Sequence, residues 1–152
     1  GNHDDYGRYN LSYSQNFYEW NRCEPLLVED VWDEGYMSCF SVRGANSIDK
    51  HLRKEGRDWF PEEELSYTQL GKAVDDFIVA RPEYMFSHTC PSSVKKQLFN
   101  CDESSRTEQA LQVMFEQHQP EYWFFGHFHS SRDEVINGTR FICLAELQTY
   151  EL

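Results

Sequence analysis

Four histidines stand where a folded chain is expected to turn: His3, His88, His127 and His129. Neutral imidazole is the commonest protein ligand for transition metals. Nitrogen donors supplemented by amide or carboxylate oxygens suit Mn, Fe, Zn or Ni. A metal ion so held polarises phosphoryl or carbonyl oxygens and makes bound water acidic enough to attack at neutral pH. His127 and His129 flank Phe128. Residues i and i+2 of an extended segment point to one side, so the two imidazoles are expected to face a single site. Read singly, a His-x-His pair is more often surface or packing than ligand, and a lone histidine such as His88 more often still.

The elements around these residues read as an α/β protein. Residues 84–87 form a short apolar run that delivers His88, and Tyr122-Trp123-Phe124-Phe125 is another that delivers Gly126-His127-Phe128-His129. Each run follows a helix signal. Ser66 and Gln69 form a capping box, with Leu65 and Leu70 at the staple positions around it. Leu70, Ala73, Val74, Phe77 and Ile78 then follow the spacing of a core-facing helix, which Arg81-Pro82 stops. Ser105 and Glu108 form a second capping box, with Leu111, Met114 and Phe115 as the apolar face and Gln119-Pro120 as the stop. Residues 25–30 and 36–42 read as strands split by a turn at Asp33-Glu34-Gly35. The stretch 134–136 and the stretch 139–144 read as a hairpin closed by Asn137-Gly138, whose residues tolerate the positive φ that such turns need. Residues 6–20 read as a loop leading into a short helix, and 47–64 as a long loop with one helical turn. In open α/β sheets, sites collect beyond the carboxyl ends of the strands, which is where both histidine motifs fall.

Composition narrows the classes. The chain has 152 residues, enough for one domain with a sizeable core, and its aromatic share of 16% argues against disorder. Its net charge of −12, from 26 acidic and 14 basic residues, would repel polyanions on average. Nonspecific nucleic-acid binding is therefore not expected. A bound metal pair would still make a site locally positive. The five cysteines, Cys23, Cys39, Cys90, Cys101 and Cys143, are widely spaced and include no C-x-x-C. They read as reduced thiols of a cytoplasmic protein rather than a disulfide framework. No apolar run reaches the length of a membrane span. His51 and His118 read as surface residues, Arg53 as a solvated loop residue, and Cys90 as helix-start or packing. Trp59, Phe60, Tyr122, Trp123, Phe124 and Phe125 read as core.

Taken together, Gly1-Asn2-His3-Asp4, Ser87-His88-Thr89-Cys90-Pro91 and Gly126-His127-Phe128-His129 resemble the calcineurin-like metallophosphoesterase family. Its later motifs run in that order: G-N-H-D/E, a lone histidine after a strand, then G-H-x-H. The segment 44–50, with Arg53 and Trp59-Phe60-Pro61-Glu62-Glu63, is similar to the middle of bacterial and phage members. The resemblance spans essentially the whole chain, from Gly1 to the last strand.

The resemblance implies a metal-dependent phosphoesterase with two divalent transition-metal ions, of which Mn, Fe, Zn and Ni all fit. Asn2, His88 and His127 would ligate one metal and His129 the other. His3 would contact the phosphate without binding metal and would protonate the leaving oxygen. Asp4 would hold His3 in its tautomer and favour its charged form, as a neighbouring carboxylate does. A hydroxide bridging the metals would attack phosphorus in line, on a phosphomonoester or phosphodiester. The fold implied is the second half of a two-sheet sandwich flanked by helices. The family's opening motifs, D-x-H and G-D-x-x-D, are read as missing from this sequence, and no Gly-Asp pair occurs. The expectation is a single domain over 1–152 lacking its N-terminal portion, with the remaining ligands supplied by a longer chain or a second one. The alternative is a catalytically inactive metallophosphoesterase-like module that binds partners, with a mononuclear site of Asn2, His88 and His127.

Overall fold

A computed structural model describes residues 25–29, 36–47 and 50–151. The motif at Gly1-Asn2-His3-Asp4, the loop and helix expected over 6–20, the turn at 33–35 and Cys23 lie outside the described residues. The elements are β1 (Pro25–Glu29), β2 (Tyr36–Val42), α1 (Tyr67–Ala80), β3 (Tyr84–Ser87), α2 (Ser92–Phe99), α3 (Arg106–Gln117), β4 (Tyr122–Phe125), β5 (Arg132–Ile136) and β6 (Thr139–Cys143). The long connection between β2 and α1 holds two short 3-10 turns, Lys50–Leu52 and Pro61–Glu63. The chain is mixed α/β, and no helix among the described residues is long and apolar enough to cross a membrane.

Both capping boxes form. The Ser66 backbone N–H donates to Gln69 Oε1 at 2.9 Å, while Ser66 Oγ accepts from the Gln69 N–H at 3.3 Å. Leu65 and Leu70 bury completely around this start, as a hydrophobic staple requires. Along α1, Leu70, Ala73 and Phe77 are buried, but Ile78 lies at the exposed rim, so the apolar stripe is narrower than its spacing suggests. Arg81 takes a left-handed φ of 44° and donates its N–H to Phe77 O. The proline that follows cannot extend the helix. In α3, Ser105 and Glu108 cap in the same way, and Leu111, Met114 and Phe115 all bury. Helix α2 was not evident from the sequence: it has no side-chain cap and only eight residues, and Lys95-Lys96-Gln97 interrupts its apolar pattern.

The strands form one six-stranded mixed sheet in the order β1-β2-β3-β4-β6-β5. Strands β2, β3, β4 and β6 are parallel, and the two edge strands are antiparallel to their neighbours. The β5–β6 hairpin turns at Asn137 and Gly138, at φ 50° and 90°. Register aligns Phe40, Met85, Trp123 and Phe141 across four strands. All four are fully buried. Each helix among the described residues packs on this one face. Phe77 of α1 meets Phe40 edge-on at 5.4 Å, Phe115 of α3 meets Phe141 at 5.1 Å, and Phe99 at the end of α2 meets Phe125 at 6.4 Å. The other face carries Tyr84 stacked on Tyr122 at 5.4 Å and Phe86 stacked on Phe124 at 5.2 Å. Tyr122 thus lies on the face away from the helices, half-buried, whereas Trp123 and Phe125 join the core.

Candidate functional site

Parallel pairing brings four strand ends to one edge of the sheet. The segment Arg43–Ser47 leaves β2 there, His88 leaves β3 and Gly126-His127-Phe128-His129 leaves β4. Beside them β6 ends at Cys143, opposite Arg132 of β5. Adjacent registers of β3 and β4 bring their two loops together, and the Gly126 N–H donates to His88 O at 3.1 Å. The imidazoles of His88 and His127 then meet with ring centres 5.1 Å apart and planes 66° apart. That centre spacing is compatible with one ion bonded at about 2.1 Å to one nitrogen of each ring. The donor set fits a borderline transition metal.

The backbone that presents His127 is unusual. Its φ is 70°, and the next N–H, of Phe128, donates back to Gly126 O at 2.8 Å. This closes a three-residue γ-turn of the rare positive-φ kind. His129 is also left-handed, at φ 47°. The segment is therefore not extended as expected, because the chain coils tightly here. His127 is half-buried and His129 exposed. Non-glycine residues in such conformations cost about 1–3 kcal/mol each and persist where surrounding structure holds them. Here the Cys143 thiol donates to Gly126 O, and Phe128 stacks on Phe99 at 4.0 Å.

A buried polar network underlies the His88 loop. Glu108, the residue that closes the α3 capping box, accepts from the Thr89 hydroxyl at 3.0 Å and from Lys95 Nζ at 3.0 Å on both oxygens. It also accepts from the Ser105 N–H at 2.8 Å. Thr89, Lys95 and Glu108 are all buried. On the other side of His88, Ser87 Oγ accepts from Trp123 Nε1 at 2.8 Å and donates to Thr89 O. The histidine is thus held between two anchored neighbours.

Among the described residues no three His, Cys, Asp or Glu side chains gather as a metal-holding group. Of the expected ligands, His88 and His127 come together, His129 does not join them, and Asn2 lies outside the described residues, as do His3 and Asp4. An Asp-x-His triplet does occur at Asp49-Lys50-His51, but it follows Gly1-Asn2-His3-Asp4 and so breaks the family's order. His51 is exposed there, as expected. His118 departs from its expected surface placement: it is half-buried, packs against Phe77 at 5.8 Å and bonds Pro82 O through Nε2 at 2.8 Å. Sequence reading also missed the Lys95–Glu108 pair. Its two residues lie on helices that pack together, and only the capping-box role of Glu108 was visible.

Cys90 is buried packing, as expected, and no disulfide joins Cys39, Cys90, Cys101 or Cys143. Burial, reinforced by Glu108, pushes the Cys90 thiol well above its ordinary range. Burial pushes Cys143 up to about 11. Both bind their protons more tightly when folded. Each contribution to stability is thus complete below the ordinary thiol range of about 8.5 and is lost as pH rises above it, for Cys143 as pH approaches about 11. Near neutral pH, iodoacetamide should therefore label the partly exposed Cys101 well before Cys90 or Cys143. Mass spectrometry of quenched samples reads the order, and fast labelling of Cys90 in folded protein would contradict it.

No family model matches the chain, and no curated protein matches it either.

Proposed function

We propose that the chain is the C-terminal portion of a dinuclear metallophosphoesterase that hydrolyses a phosphomonoester or phosphodiester. The observation that carries this reading is the meeting of the His88 and His127 rings at the ends of adjacent parallel strands, with His127 in a γ-turn. The resemblance of three ordered motifs supports it. His88 and His127, with Asn2, would hold one divalent cation, and His129 would contribute to a second. When bound, the cations would supply a nucleophile at neutral pH and neutralise charge on the phosphoryl oxygens. His3 would donate a proton to the leaving oxygen, oriented by Asp4. The first metal's other ligands would come from D-x-H and G-D-x-x-D motifs in a longer chain or a second one. A two-sheet sandwich accords with the described helices on one sheet face and stacked aromatic rings on the other. The absence of a disulfide among the described cysteines accords with a reducing cytoplasm.

With those two motifs supplied, the protein is expected to take up two metal equivalents and to turn over a generic aryl phosphate. His88→Ala and His127→Ala are each expected to weaken metal binding by about tenfold or more, since even outer-shell partners matter this much. Metal analysis after gel filtration, beside turnover, reads both. Absence of metal and turnover with the motifs supplied would sink the proposal. Metal uptake without turnover would favour a binding module that uses one cation held by Asn2, His88 and His127.

A further inference from the structure

We propose that Arg132 is an anion-binding residue of this site, one that holds phosphoryl oxygens of the substrate. The inference rests on the phosphoesterase reading above and adds a residue that the family motifs do not contain. Arg132 opens β5 opposite Cys143, the last residue of β6, and so stands at the same sheet edge as His88 and His127. Its guanidinium lies over the Phe99 ring at 5.7 Å. Phe99 stacks on Phe128 at 4.0 Å, and Phe128 meets His127 edge-on at 5.3 Å. A series of ring contacts therefore links this cation to the candidate metal ligand. Cys143, whose thiol bonds Gly126 O, feels its charge.

The charge is also available. Among the described residues Lys72, Lys95, Lys96, Arg106 and Arg140 pair with carboxylates, whereas Arg132, like Arg57 and Arg81 away from this sheet edge, makes no such pair. Arg132 is exposed, and among the described residues its hydrogen bond goes to the neighbouring Ser131 O at 2.8 Å, with no carboxylate in ion-pair range. In a chain with 26 acidic and 14 basic residues, a guanidinium left without a carboxylate beside a candidate metal centre is notable. A planar guanidinium presents several N–H donors in a fork that matches phosphate. The ring beneath orients it at little entropic cost.

Inorganic phosphate is the probe, titrated into the whole chain with chelator and separately with added metal, and read by amide chemical shifts. The parent protein should bind phosphate with shifts centred on Arg132 and the Gly126–His129 loop. Arg132→Gln should weaken that binding by about tenfold. Arg132→Lys should recover part of it, because charge is kept and the fork is lost. Arg132 is exposed, so neither variant should move the thermal midpoint. Equal phosphate affinity in the parent and Arg132→Gln overturns the inference, as does a parent that binds no phosphate. The metal-centre reading fails on a different measurement, unchanged metal uptake in His88→Ala and His127→Ala, so the two failures are distinguishable.

Discussion

Lys95→Met with Glu108 left in place lowers the free energy of unfolding by about 3–5 kcal/mol. The expectation comes from burial. The Lys95 and Glu108 side chains retain only 10% and 4% of their exposure, and Nζ contacts both carboxylate oxygens. Removing the ammonium strands a charge in the interior with only the Thr89 hydroxyl and the Ser105 N–H as donors. Uncompensated buried charge is costly however favourable the original pair was. The exposed Lys72–Asp76 pair on α1 supplies the contrast: Lys72→Met should cost about 0.5 kcal/mol or less. Urea denaturation of Lys95→Met, Glu108→Leu and the double variant completes the test. The double variant should be less destabilised than the sum of the singles, because it buries no orphaned charge. Its recovery should be incomplete, since Thr89 and Ser105 lose their acceptor. A cost for Lys95→Met no larger than that for Lys72→Met would show the pair to be solvated. The same network seats Thr89 next to His88. Lys95→Met should consequently also loosen the loop that carries the candidate ligand, visible as faster amide exchange at His88 and Thr89.

What could be read from the sequence was local. Both capping boxes, the Asn137-Gly138 turn and the strands ending at Ser87 and Phe125 follow from residue types a few positions apart, and the structure carries each of them. Two kinds of feature were not local. Helix α2 is short and lacks a side-chain N-cap, so it depends on burial of Val94 and Lys95 against its surroundings rather than on its own propensity. The conformation of Gly126-His127-Phe128-His129 depends on contacts from β6 and α2, namely Cys143 and Phe99. Period-two alternation could not foresee that a γ-turn would replace an extended segment. His118 belongs with these, since Phe77 and Pro82 lie far from it in sequence and near it in space. The meeting of His88 and His127 was legible for a different reason. Each follows a short apolar strand by one or two residues, and parallel neighbours present their carboxyl ends to the same edge.

Gly44→Ala is expected to cost about 3–5 kcal/mol, several times more than Gly56→Ala, although both glycines have nearly the same left-handed backbone. Their φ values are 79° and 78°, so the conformational part of the cost is common to both. That part is about 1–2 kcal/mol for an L-residue. Space separates them. A Cβ at Gly56 meets nothing within 4 Å, while one at Gly44 would lie 2.0 Å from the backbone carbonyl oxygen of Glu63. Glu63 cannot easily withdraw. Its buried carboxylate accepts from the Ser47 N–H at 2.8 Å and the Ser47 hydroxyl at 2.9 Å, and its own N–H donates to Phe60 O. Relief of the clash therefore strains or breaks the clamp that ties the loop after β2 to the turn before α1. Chemical denaturation of the two variants, with matched slopes, reads the difference directly. Near-equal costs would mean that the loop and the Glu63 turn separate without penalty. A larger cost at Gly44 would place a rigid backbone contact beside β2, at the sheet edge from which His88 and His127 also emerge.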